Sequence, residues 1–149
     1  MIRPYIDTDK AALVTLLRLN IPKYFDPSEE ADFIAYLDYE REDYFVIEEE
    51  HQILGSGGIN YFVDERLARI AWDVIHPNAQ GRGLGSQLLL HRIKHIQRNS
   101  GFEQIIVRTS QLAYPFYEKN GFTLVRVEKD FWAKGFDLYL MELKLTKGE

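Results

Sequence analysis

The stretch NAQGRGLGSQLL, residues 78–89, sets glycines at 81, 83 and 85 and then runs straight into leucines. Glycine at a helix start costs backbone entropy, so three in five positions mark a tight turn that something must approach closely. Bare amides at a helix N-terminus, aligned with the helix dipole, form an anion site. A Walker A loop needs lysine after its last glycine, and none follows here. A Rossmann fingerprint needs a third glycine where Ser86 stands, and an acidic residue where the strand QIIVR (104–108) ends in arginine. What remains is Gln80-x-x-Gly83-x-Gly85, between a strand closed by Pro77 and a helix whose stripe is Leu84, Leu88, Leu89, Ile93 and Ile96.

Reading outward, Ile2 to Ile6 is a short strand. Asp7-Thr8-Asp9 offers N-caps to a helix carrying Leu13, Leu16 and Leu17. A second helix starts after Ser28, its expected cap, with Glu29 and Glu30 in the first turn. Strands follow at 44–47, 53–63 and 67–75, and Gly55-Ser56-Gly57-Gly58 inside the second suggests a bulge. The glycine-motif helix is expected to end near Ser100-Gly101, with Gly101 as C-cap. A strand at 104–108, a short helix at 113–119, and strands at 123–127 and 138–145 around the loop FWAKGFD complete the chain. The order β-α-α-β-β-β-α-β-α-β-β has hairpins early and one crossover at the glycines. It predicts an α/β (α+β) fold: a mixed, mostly antiparallel sheet of about seven strands with about four helices.

The 149 residues suit one domain, 1–149. Apolar residues at 46% and charged ones at 28% describe an ordinary globular chain. No apolar run reaches membrane-spanning length and no secretory leader is evident, so a cytoplasmic protein is the expectation. A net charge of −5 without a basic block argues against nucleic acid as partner. Cysteine is absent, which removes disulfides, thiolate metal sites and a cysteine nucleophile. His91 and His95 stand at i and i+4 without an intervening metalloprotease glutamate or a third ligand, so no metal site is expected.

The glycine loop resembles the acyl-coenzyme A loop of the GNAT superfamily of N-acetyltransferases. AYPFYEKNGF (113–122) is similar to that family's late-helix motif, and the two motifs stand in the family's order. The resemblance implies the GNAT fold, acetyl-CoA as acyl donor, and transfer to a small-molecule or peptide amine by direct attack in a ternary complex. A homodimer is the implied assembly. The implied cofactor-binding residues are Val74, Ile75, Gln80, Gly81, Arg82, Gly83, Leu84, Gly85, Ser86, Ser110 and Tyr117. A backbone N–H near Ile75 is expected to polarise the thioester carbonyl.

Tyr117 matches the family tyrosine that protonates the departing thiolate, and a phenol near its usual pKa of about 10 suits that task. Tyr114 is its neighbour but misses the motif position. Asp73 departs from the family, whose members commonly carry an apolar or small residue there. Strand alternation would turn it to one face with Ala71 and Ile75, either to anchor the substrate amine or accept its proton, or to be satisfied by a nearby arginine. Glu65 and Glu142 are weaker carboxylate candidates. Ser110 replaces an asparagine frequent in relatives. Tyr24, Phe25, Tyr61, Phe131 and Trp132 are the aromatic candidates for the acceptor pocket. A different class of reading is a non-catalytic acyl-CoA sensor on the same fold.

Overall fold

Hairpins in the first half and one crossover in the second build a single seven-stranded sheet in the computed structural model of the protein, which describes residues 1–99 and 101–145. The strands are β1 (Ile2–Pro4), β2 (Asp43–Glu49), β3 (Gln52–Phe62), β4 (Leu67–Ile75), β5 (Gln104–Thr109), β6 (Thr123–Ala133) and β7 (Phe136–Lys144). The helices are α1 (Lys10–Arg18), α2 (Glu29–Ala35), α3 (Leu84–Gln97) and α4 (Tyr114–Lys119). The sheet order is β1-β2-β3-β4-β5-β7-β6, with β4–β5 the parallel pair and every other pair antiparallel. The expected element order and mixed sheet are both present.

The period-two alternation of a strand divides the core between the two faces. Along β2, Tyr44 and Val46 pack under α1 and α2 with Leu13, Leu17 and Phe33. Phe45 and Ile47 turn to the other face, with Leu84, Leu88, Leu89 and Ile96 of α3 and with Ile70 and Val107. Glu50 and His51, both at positive φ, close the β2–β3 hairpin as a two-residue turn.

Several boundaries differ from expectation for local reasons. Ser28 caps nothing through its side chain. Instead Asp26 accepts hydrogen bonds from the Ser28 amide and hydroxyl, and Glu29 accepts one from the Asp26 amide. The α3 helix ends at Gln97 with Arg98 as its right-handed C-cap, short of Gly101. Ser100, the other half of that expected end, lies outside the described residues. FWAKGFD is not an open loop: β6 runs to Ala133, β7 resumes at Phe136, and the turn needs only Lys134 and the left-handed Gly135.

The decisive irregularity lies in β4. Its pairing with β3 slips between Ser56 and Gly58, and Trp72 opposite takes φ of 54°. Such a bulge bends and twists its strand. Pairing between β4 and β5 ends at Ile70↔Val107, while β5 stays with β7 as far as Thr109↔Tyr139. The two parallel strands therefore part at their C-terminal ends, where ligands bind in open sheets of this kind.

Candidate active site

The gap between the parted strands continues into a cleft of about 630 Å³. One half is bounded by Ile75, the glycine loop and α4. The other is bounded by Tyr24, Phe25, Glu29, Tyr36 and Glu40 from the α1–α2 region, by Arg69 and Trp72 of β4, by Arg108 of β5, and by Trp132 and Phe136 at the β6–β7 turn.

The three glycines do different jobs. Gly81 and Gly83 adopt φ of 84° and 76°, a left-handed backbone that L side chains rarely take, and a Cβ at either would meet no protein atom within 4 Å. Their surroundings are open, so the loop is free to be approached from the cleft. Gly85 is inside the first turn of α3, where a Cβ would press to 3.3 Å from the Phe116 ring, so glycine lets α3 and α4 pack closely. Gln80, Gly81, Gly83, Leu84, Gly85 and Ser86 all line the cleft. The N-terminus of the fourteen-residue α3 thus opens onto it. Left-handed, unobstructed backbone at a helix N-terminus fits a diphosphate such as that of coenzyme A.

Two residues of the expected cofactor set are placed elsewhere. Val74 has its side chain in the core under α1, 1% exposed, and contributes no surface to the cleft. Arg82 turns away to Glu49 on the β2–β3 hairpin, with Nη2 at 2.9 and 3.1 Å from the carboxylate oxygens. A long charged side chain on an exposed loop takes the nearest opposite charge. Ile75 does line the cleft, and its carbonyl accepts a bond of 3.1 Å from Nδ2 of Asn20, a buried side chain at the end of α1. Ser110 lines it too, while its Oγ accepts from the Leu112 amide in the turn into α4.

At the fork lies a buried network. The Asp73 carboxylate takes a bidentate pair from Arg92 on α3, at 2.6 and 2.9 Å, and a 2.5 Å bond from the Tyr117 hydroxyl. The Arg92 side chain is wholly buried, and two more of its N–H groups reach the Gly58 and Leu88 carbonyls. Burial alone would lower the arginine pKa, but the charge and hydrogen bonds of Asp73 outweigh it and leave it raised. A Cβ on Gly57 would collide with this pair, so the slipped glycine of β3 is what admits it. Of the two sequence readings of Asp73, the structure displays the arginine-satisfied one.

Two expectations are corrected here. Tyr117 is not a phenol of ordinary pKa: burial, and then the Asp73 charge, push it well above 10. The face assignment around Asp73 holds only in part. Asp73 turns toward α3, but Ala71 packs with Trp72 and Val74 on the α1–α2 side, because the bulge at Trp72 interrupts the alternation. Tyr114 turns to Glu118 and to the Tyr139 ring and does not line the cleft.

Among the aromatic candidates, Tyr24, Phe25 and Trp132 line the cleft. Tyr24 donates to Gln80 at 3.2 Å, Phe25 stacks on Trp72, and Trp132 donates its indole N–H to the Thr109 carbonyl. Tyr61 packs on Phe102 and donates to Asp43, and Phe131 lies outside the lining. Glu65 and Glu142 are also outside it.

Two further carboxylates line the cleft, Glu29 and Glu40, which sequence reasoning passed over as site candidates. Glu29 is 7% exposed, and burial raises its pKa. Its signal was an acidic residue at a helix start, which reads as dipole complementation and hides a turn toward a cavity. His91 and His95 stand edge-on to Phe45, and His76 accepts the Asn78 amide as the turn residue before Pro77.

A family model described as the acetyltransferase (GNAT) domain matches residues 40–124, more than half of the chain. The chain belongs to the GNAT acetyltransferase family. An amino-acid acetyltransferase from Vibrio vulnificus (strain CMCP6) is 35% identical over 94 residues, 62% of this chain and 20% of that protein. One of the same description from Pasteurella multocida is 28% identical over 91 residues, 61% of this chain and 20% of that protein. The match thus spans about a fifth of the length of these relatives.

In fold the chain is similar to a GNAT-family acetyltransferase from Desulfovibrio desulfuricans, with TM-score 0.83, 20% identity, and 98% and 99% of the two chains covered. It is similar to a ribosomal-protein-alanine N-acetyltransferase from Brucella melitensis, at TM-score 0.74 and 17% identity over 97% and 99%. An acetyltransferase from Salmonella typhimurium, solved with its cofactor acetyl-CoA, gives TM-score 0.74 and 18% identity over 100% and 95%. The seven-stranded sheet with its parted central pair is the GNAT fold.

Proposed function

We propose that this GNAT protein transfers an acetyl group from acetyl-CoA to a primary amine by direct attack in a ternary complex. The observation that carries the reading is the parted β4–β5 pair, with an unobstructed glycine-lined helix N-terminus on one side and a separate polar half-cleft on the other. Bound acetyl-CoA supplies the acetyl group as an activated thioester. With acetyl-CoA bound, the amides of the 81–85 loop and the α3 dipole would hold the diphosphate, and the β4 edge near Ile75 would present backbone N–H to the thioester carbonyl. Without cysteine, the chain has no thiol to carry the acetyl group between the two substrates.

Tyr117 keeps its proton through neutral and moderately alkaline pH, since its pKa is raised. Complete transfer from such a phenol to a thiolate, whose conjugate thiol has a pKa of about 8.5, runs uphill. The phenol would therefore serve a departing sulfur chiefly as a hydrogen-bond donor, its single O–H turning from Asp73 to do so. Asp73 and Arg92 are positioning residues: their charges cancel, and the carboxylate holds the phenol at the fork. Glu29, buried beside the acceptor half with its carboxyl pKa raised, is the base that takes the amine proton. The relatives' names include amino-acid and ribosomal-protein acetyltransferases, which fits an acceptor class of small-molecule or peptide amines.

Acetyl-CoA at saturating concentration should raise the melting temperature by mass action, and amines should then release free coenzyme A. Absence of the shift overturns the donor assignment. A shift without coenzyme A release by any amine makes the chain an acyl-CoA sensor instead.

A further inference from the structure

Among the described residues, two arginines that line the cleft form no ion pair. Arg69 on β4 and Arg108 on β5 flank the last paired rung of the parallel pair, Ile70↔Val107. Ile70 and Val107 point into the core on the α3 side, so alternation sends both arginines to the opposite face, and both line the cleft. Among the described residues, neither guanidinium lies within 4.0 Å of a carboxylate or donates a hydrogen bond, whereas Arg3, Arg18, Arg41, Arg82, Arg92 and Arg126 are all ion-paired.

Their planes are nevertheless held. The Arg108 guanidinium carbon lies 5.3 and 5.4 Å from the Phe131 and Trp132 ring centres, and that of Arg69 lies 4.9 Å from Phe62. Stacking occupies the faces of a guanidinium and leaves its edge of N–H donors for a planar, bidentate acceptor. The two charges also oppose each other: burial first, then Arg69 and Arg126, lower the Arg108 pKa, and Glu128, itself paired with Arg126, offsets this only in part. Like charges gathered in a cleft with no carboxylate in contact are relieved by an anionic ligand. Glu29 and Glu40 line the same half-cleft and supply the opposite sign for an ammonium group.

We infer that the amine acceptor also carries a carboxylate, held by Arg69 and Arg108, so that the substrate class is a free amino acid. This rests on the reading that this half of the cleft receives the amine. A protein N-terminus has its α-carboxyl tied up as an amide and offers these arginines no charge there. Arg69 and Arg108 are then specificity-determining residues, remote from the acetyl transfer itself.

The test is calorimetric titration of the coenzyme A-loaded full chain with the standard L-amino acids, each beside its α-amide, which keeps the amine and removes the negative charge. At least one amino acid should bind about tenfold or more tightly than its amide. The R69Q/R108Q double variant should abolish that preference while keeping its melting temperature and coenzyme A affinity. Equal binding of acids and amides, a preference that survives in the double variant, or no binding of any amino acid overturns the inference. Coenzyme A release, assayed in parallel, separates the two readings. A charge preference in binding without turnover leaves the arginine site standing and defeats acetyl transfer. Equal turnover of acids and amides does the reverse.

Discussion

The two halves of the cleft are made of different materials. The donor half is mainly backbone: left-handed turns at Gly81 and Gly83, the first amides of α3, and the free edge of β4. The acceptor half is side chains, with Glu29, Arg69, Trp72, Arg108 and Trp132 arriving from separate elements. A backbone site recognises what every ligand of the class shares, here a diphosphate. A side-chain site can be altered one residue at a time without unsettling the fold, and so it carries specificity. The Asp73–Arg92–Tyr117 network stands between them, structural toward α3 and chemical toward the cleft.

The largest effect should come from breaking that divide. Arg92→Met leaves the Asp73 carboxylate without its counter-ion and should cost about 3–5 kcal/mol, a fall in melting temperature of roughly 10 °C by thermal unfolding. Adding Asp73→Leu to it should recover much of the loss. If the single variant melts like the wild type, the network is not what holds the fork.

On the acceptor side, Glu29→Gln should lower kcat about a hundredfold. In the wild type the carboxyl pKa is raised above the ordinary 4.5. The carboxylate that accepts the amine proton is therefore depleted as pH falls through that raised value, and the rate should fall with it. The variant should lack this acid limb. A pH–rate profile that keeps its inflection assigns the base elsewhere.

Tyr117→Phe should lower kcat by about tenfold to a hundredfold, the worth of one hydrogen bond to a developing charge, with acetyl-CoA affinity intact. Unchanged turnover removes the phenol from the chemistry. Gly83→Ala should weaken acetyl-CoA binding about tenfold by titration and strain the turn by about 1–2 kcal/mol. The KM for the amine should stay put. An equal change in both substrates' constants would show that the two halves are coupled rather than separate.

Legibility followed the same line. The glycine loop, its helix and the late-helix motif read directly, because backbone conformation is dictated by residue types at contiguous positions. The strand order of the hairpins and the single crossover were also readable from alternation and turn signals. Asp73 stood out as unusual, but its partner is nineteen residues away on α3. Arg92 on its own reads as one charge among several in the helical stretch HRIKH (91–95). Glu29 looked like a helix-start charge, and FWAKGFD looked like a loop until pairing carried β6 to Ala133. Arg82 was expected at the diphosphate because it sits in the motif, yet side-chain reach and a nearby carboxylate decide where an exposed arginine goes.

The sequence by itself determined the element order, the fold class and the left-handed glycine loop at the head of α3, since these depend on local conformational preference and on periodicity. Tertiary structure decided how the acceptor half is built and what Asp73 does. The bulge at Trp72 shifts the alternation of β4 and parts it from β5. That slip buries Asp73 against Arg92, while the parted strands leave Arg69 and Arg108 facing an open cleft. Its effect on every downstream side chain is a consequence of long-range pairing, which no short stretch of residues encodes.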